Sequence, residues 1–198
     1  HFKVGIAVPI QKMVQSQASG VMFTIEPVTS NPNIMVIEAV FGLGETIVGG
    51  EVTPDLYVID KTGLAISNKK IGKQAWKLIR NPATDNRAAN IKVPLLPPEQ
   101  AQQKLADDDI IKLARLGKQI EDHYQFPQDI EWAEEDNELF IVQTRPVTTI
   151  KEENETEPEI TAPVLLTGDA ASPGVASGPV KIVHKASQID RVEEGDIL

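Results

Sequence analysis

The chain has 198 residues, 41% of them hydrophobic and 24% charged, which suits a globular protein of one or two domains with a sizeable core. Zero cysteines exclude a disulfide scaffold, a thiolate metal site and a cysteine nucleophile, so an intracellular, cytoplasmic setting is the simpler expectation. A net charge of -10 opposes nonspecific nucleic-acid binding, and no apolar run approaches the roughly 18 residues of a membrane span.

The first residues, His1 to Val8, alternate like a strand and lack a basic start, an apolar centre and a cleavage site, so they read as interior sequence. Up to about residue 70 the chain is strand-rich. Val4–Val14, Gly20–Ile25, Ile34–Val40, Leu56–Asp60 and Leu64–Ser67 are β-branched or alternating runs bounded by Gly, Pro, Asn or Ser. Gly42-Leu43-Gly44-Glu45-Thr46 interrupts them. Residues 80–98, with Pro82, Pro94, Pro97 and Pro98, predict a long irregular connection, because proline removes backbone donors and biases its predecessor away from helix.

A helix is predicted from about Asp108 to Tyr124. Ile110, Leu113, Ala114, Gly117, Ile120 and Tyr124 fall on one face at helical period, and Asp107, Asp108 and Asp109 at the start read as a cap with favourable dipole charges. Gly117 in mid-helix costs about 1 kcal/mol against alanine, which marks a place of close packing.

The segment richest in chemistry is Gln128-Asp129-Ile130-Glu131-Trp132 followed by Phe140-Ile141-Val142-Gln143-Thr144-Arg145, two alternating strands meeting at Asp136-Asn137. Centring the hairpin on Asn137 puts Trp132 opposite Val142 and Glu134 opposite Phe140. Ile130, Trp132, Phe140 and Val142 then form one apolar face. The other face carries Asp129 opposite Arg145 and Glu131 opposite Gln143. A two-residue turn would mix the faces, so a three-residue loop with a bulge is expected. Carboxylate and amide oxygens are hard donors suited to Mg²⁺, and an arginine beside them can clamp a phosphate. Cross-strand ion pairs on an ordinary solvated hairpin fit the same spacing.

Past Arg145-Pro146, residues 148–162 carry five glutamates against Lys151 and read as a solvated linker. Val180-Lys181-Ile182-Val183 then begins a new β element, and Gly195–Leu198 reads as a strand just starting. His1, His123 and His184 have no catalytic context, and His184 is read as a surface residue at a strand end.

Asp129-Ile130-Glu131-Trp132 and Ile141-Val142-Gln143-Thr144-Arg145-Pro146-Val147 resemble the end of the nucleotide-binding domain shared by phosphoenolpyruvate synthases, pyruvate phosphate dikinases and rifampin phosphotransferases. The resemblance implies that Glu131 and Gln143 hold Mg²⁺ and ATP phosphates, that Arg145 contacts phosphate and that Asp129 assists. Gln11-Lys12-Met13-Val14 and Ser19–Thr24 are similar to the strands that border the adenine, which puts Gln11, Met13 and Val14 against the base. Ile37–Ala39, Phe41–Glu45 and Val52–Tyr57 look most like the synthase branch, with Glu45 either orienting ribose or phosphate or serving as a solvated loop acid.

What the resemblance implies for the fold is α+β. It is part of an ATP-grasp domain with a mixed or antiparallel sheet and flanking helices over 1–147, an acidic linker over 148–162, and the start of a swivelling phosphohistidine domain over 163–198. The family's Thr, Ser-or-Cys, His, Ala motif is absent, and so is the front half that supplies further phosphate contacts. Expected partners are ATP, pyruvate in the full-length enzyme and the rest of its own polypeptide. The 198-residue piece is expected to be inactive alone, and a dikinase fragment, an antibiotic phosphotransferase fragment or a non-catalytic nucleotide module are the alternatives.

Overall fold

A computed structural model describes residues 7–82, 90–148, 150, 176–184 and 186–198. Its centre is a six-stranded sheet of β1 (Ala18–Phe23), β2 (Ile34–Phe41), β3 (Asp55–Asp60), β4 (Ala65–Lys70), β7 (Gln128–Glu135) and β8 (Glu138–Pro146). The order is β4-β3-β2-β1-β7-β8, and every pairing within it is antiparallel. A one-turn helix, α1 (Glu45–Val48), lies between β2 and β3, and between β4 and β7 lie a separate hairpin of β5 (Trp76–Arg80) and β6 (Asn90–Pro94) and the long helix α2 (Asp107–Tyr124).

Alternation along each strand separates the two sheet faces. Met22, Ile37, Tyr57 and Ile130 occupy one row through paired positions, and all four are buried. α2 covers this face with Ile110, Leu113 and Ala114, as its 3.6-residue period dictates. Gly117 allows the closest approach: a Cβ there would lie 2.6 Å from Met22 Cε. A similar constraint acts at Gly20 on β1, where a Cβ would meet the Glu38 carbonyl oxygen at 1.8 Å and the Trp132 ring at 2.8 Å.

A buried ion pair fixes the connection leading into α2. Lys104 Nζ lies 2.7 Å from Asp55 Oδ1, with both side chains fully buried. Asp55 also accepts bonds from Tyr57 Oη and from the backbone N–H groups of Gly72 and Lys104. Burial, followed by the bond to Asp55, pushes the Tyr57 phenol far above its ordinary range, so it remains a donor.

Several expectations are corrected. Residues 7–17 form no strand; Pro9 removes a ladder donor and most of the segment is exposed. Residues 90–94 are a strand, because Pro94 stands at its end, where the lost donor does not interrupt the ladder. Ala106, not an aspartate, occupies the N-cap of α2 and makes no side-chain cap bond. Asp107 instead accepts bonds from Gln103 and Lys69, which in that order hold its carboxyl below the usual range, and Asp109 pairs with Lys112. Tyr124, assigned to the buried face, is exposed.

The hairpin turn is also corrected. Asp136 and Asn137 have φ of 54° and 64°, a two-residue turn of type I′, and Trp132 pairs with Ile141 and Glu134 with Leu139. The extra residue lies within β8 at Val142, between the Glu131–Gln143 and Trp132–Ile141 pairs. In the C-terminal segment, Val180 and Ile197 make one parallel bridge, not a strand pair, and His184 is exposed beside a 3₁₀ turn over Ala186–Arg191. The acidic segment from 151 lies outside the described residues.

Two stability outcomes follow from these contacts. Lys104→Met leaves Asp55 charged and buried, and is expected to lower unfolding free energy by about 3–5 kcal/mol in urea titration. Adding Asp55→Leu gives little recovery, because Gly72 N–H and Tyr57 Oη then lose their acceptor. Gly117→Leu is expected to cost about 1–3 kcal/mol by overpacking against Met22, and a smaller amount in a Met22→Ala background.

Candidate functional site

The face of the sheet opposite α2 carries the polar row. Register places Leu56, Glu38, Val21, Glu131 and Gln143 side by side across β3, β2, β1, β7 and β8. Residues directly opposed across a ladder share a face, so Glu131 and Gln143 project to the same side. Two positions along, Asp129 opposes Arg145, and Arg145 Nε donates to Asp129 Oδ2 at 2.8 Å. That bond, together with the charges of Asp129 and Glu131, holds the Arg145 guanidinium protonated beyond its ordinary range. The second oxygen of Asp129, Oδ1, is buried and has no hydrogen-bond partner among the described residues. Such an atom is costly without a cation or donor beside it.

Next to this row lies a cleft of about 700 Å³. Met13, Val14, Val21, Leu43, Phe140 and Val142 give it an apolar lining, and Gln11, Ser16, Glu45 and Glu131 supply polar groups. The volume and this mixture suit a small aromatic ligand with a polar tail. Of the residues assigned from sequence, Gln11, Met13, Val14, Glu45 and Glu131 line the cleft. Asp129, Gln143 and Arg145 do not, and they continue the sheet face beyond it.

Phe140 and Val142, expected on one apolar face with Ile130 and Trp132, are 37% and 38% exposed and face the cleft instead. The bulge explains the exchange: one extra residue reverses the facing of everything between it and the turn, so Leu139 and Ile141 pack toward the core instead. Gln11 Nε2 donates to the Val142 carbonyl at 3.3 Å. Glu45 opens α1, and its Oε1 accepts Asn90 Nδ2 from β6 at 2.8 Å.

Among the described residues no group of three or more His, Cys, Asp or Glu could hold a metal by itself, and no helix is long and apolar enough to cross a membrane.

Sheet, cleft and row together define a sheet-dominated α+β domain with an open cleft on the sheet face away from its long helix. The family model described as the pyruvate phosphate dikinase AMP/ATP-binding domain matches residues 1–163, and the chain belongs to that family. It is 49% identical over 205 residues to the phosphoenolpyruvate synthase of Pyrococcus furiosus. It is 50% identical over 204 residues to the probable phosphoenolpyruvate synthase of Archaeoglobus fulgidus, and 40% identical to the phosphoenolpyruvate synthase of Aquifex aeolicus. All of this chain is covered in each case, against 25%, 26% and 26% of the relatives, so it spans about a quarter of their length.

Glu38 has an electrostatic consequence. Burial between Leu56 and Val21 pushes its carboxyl above the ordinary 4.5, which means that ionised Glu38 opposes folding above the raised value. Glu38→Gln is expected to raise the melting temperature at pH 7, and the gain should fade as pH falls through the raised value to below 4.5. Calorimetry at pH 7 and pH 4 measures both; an equal gain at both would assign the effect to packing.

Proposed function

We propose that this chain is part of the ATP-grasp-type nucleotide-binding domain of a phosphoenolpyruvate synthase, with ATP in the cleft and its phosphates along the Glu131–Gln143 row. The observation that carries the reading is the continuity of the apolar cleft with that row on one sheet face. Family membership and relatives named as synthases support it.

In this reading Met13, Val14, Leu43 and Phe140 enclose the purine and exclude water, while Gln11 and Glu45 meet its polar edge and the ribose. Glu131 and Gln143 offer opposed oxygen donors, and the unpartnered Asp129 Oδ1 supplies a further one, so the residues fit Mg²⁺. Mg²⁺ ordinarily takes one or two protein ligands and fills its shell with phosphate oxygens and water, so the small protein set is adequate. When bound, Mg²⁺ would neutralise phosphate charge. Arg145, held by Asp129, presents its remaining donors to phosphate.

In the whole enzyme ATP would phosphorylate a histidine elsewhere in the polypeptide, with water taking the other phosphoryl group so that AMP and phosphate are released, and the histidine would pass its phosphoryl group to pyruvate. Residues 1–147 would be the ATP-binding part, 148–162 the linker and 163–198 the start of the phosphohistidine domain, in a cytoplasmic protein. Positioning and charge neutralisation dominate such transfers, so this chain would supply binding and no covalent step.

The test is Mg-ATP titration and turnover of the full-length protein carrying Glu131→Ala or Gln143→Ala. Each is expected to weaken nucleotide about tenfold or more, the equivalent of about 1.4 kcal/mol. Unchanged affinity and rate would remove both residues from the site. The purified 198-residue chain is expected to form no phosphoenolpyruvate from ATP and pyruvate; measurable formation would overturn the division of labour.

A further inference from the structure

The wall of the cleft formed by Leu43, Gly44 and Glu45 lies past the end of β2, outside the ladders of the sheet. β2 ends at Phe41, and Gly42 follows with φ of 82°, a left-handed conformation that suits glycine. A Cβ at Gly42 would lie 2.2 Å from the Leu78 carbonyl oxygen. The β1–β2 ladder reaches Phe41 on one side only: Phe41 pairs with Ala18, while the β2–β3 register stops at Ala39. The N–H and C=O of Phe41 are nevertheless satisfied, and the partner is a side chain.

Gln74 is fully buried. Its Oε1 accepts the Phe41 N–H at 2.9 Å, and its Nε2 donates to the Phe41 carbonyl at 3.0 Å and to the Trp76 carbonyl at 2.9 Å. One amide thus imitates a strand residue, gripping both backbone groups of the last residue before the loop. Gln74 is itself pinned. Its N–H donates to the Gln100 carbonyl at 2.8 Å, and two residues back Gly72 N–H donates to Asp55 Oδ1 while Lys104 Nζ donates to the Gly72 carbonyl. Gly72 has no space for a side chain, since a Cβ would lie 2.4 Å from the carbonyl oxygens of Thr53 and Pro54.

We infer that Gln74 is a positioning residue for nucleotide binding: through Phe41 it fixes the Gly42–Glu45 wall of the cleft against the buried Asp55–Lys104 pair. It touches neither the cleft nor the polar row. The inference rests on the reading of the cleft as the ATP site. Other bonds hold the same wall, among them Gly42 N–H to the Gln17 carbonyl at 2.9 Å, Ser19 Oγ to the Gly42 carbonyl at 2.6 Å, Leu43 N–H to the Leu78 carbonyl at 2.8 Å and Asn90 Nδ2 to Glu45 Oε1 at 2.8 Å, but none of these reaches Phe41.

The experiment uses the full-length protein and two variants, with Mg-ATP affinity and turnover measured on each. Gln74→Leu removes all three bonds and is expected to weaken ATP about tenfold, with kcat at saturating ATP changed much less. Gln74→Glu guards against simple failure to fold. Its carboxylate keeps an acceptor for the Phe41 N–H but faces two carbonyl oxygens. Burial and those carbonyls raise its pKa, so the neutral form, which donates to one of them, dominates below the raised value. ATP affinity of Gln74→Glu relative to wild type is therefore expected to recover as pH is lowered and to fall as pH rises. Wild-type ATP binding with both variants unaffected would overturn the inference and leave the cleft reading intact. A pH-independent loss in Gln74→Glu would also overturn it, assigning the residue to general packing. Failure of the wild type to bind ATP would overturn both.

Discussion

A β-strand has a side-chain period of two, so a single additional residue decides which groups share a face for the remainder of the strand. In β8 that residue is Val142. On the Arg145 side of it, pairing keeps Asp129 with Arg145 and Glu131 with Gln143; on the turn side, Ile141 and Leu139 point into the core and Phe140 toward the cleft. The same hairpin thus carries a polar row and an apolar cleft wall next to each other on one surface. A strand without the bulge would bury the aromatic ring or split the acid from the amide.

The two sheet faces do different work. Toward α2 the requirement is close approach, met by Gly20 and Gly117 and by the buried rings of Trp132 and Tyr57. Away from α2 the requirement is held polarity: Asp129 orders Arg145, and Gln11 bonds the carbonyl of Val142. The loop after β2 belongs to the second face but is anchored by groups from the interior, Asp55, Lys104 and Gln74. Rigidity at the cleft is thereby drawn from the core.

Much of this was legible in the sequence, for physical reasons that differ by segment. α2 was readable because Ile110, Leu113, Ala114 and Gly117 repeat at helical spacing, and only its cap and its last aromatic departed from expectation. The family was readable from residues 129–132 and 141–147, and the membership holds. The Asp129–Arg145 and Glu131–Gln143 pairings were expected from centring the hairpin on Asn137, and they hold because the bulge at Val142 supplies the extra residue that the expected loop would have supplied. The turn was not readable, because a bulge is invisible to a period-two count; the expected odd residue exists but sits within the strand. β6 was hidden by prolines whose cost falls at its end, and residues 7–17 alternate like a strand without finding a neighbour to pair with. Gln74 carried no pattern at all, since its role depends on a contact 33 positions away.

Among the described residues β8 is also the outermost strand on its side of the sheet, with one row of backbone groups that no described strand pairs. A flat, regular border of that kind invites a second molecule to add its own strand. The irregularity at Val142 twists and interrupts that border, and Pro146 at its end offers no donor. A feature that aligns the polar row thus also discourages edge-to-edge self-association, so straightening the strand by deleting one residue would expose the protein to aggregation as well as scrambling its ligand-facing surface.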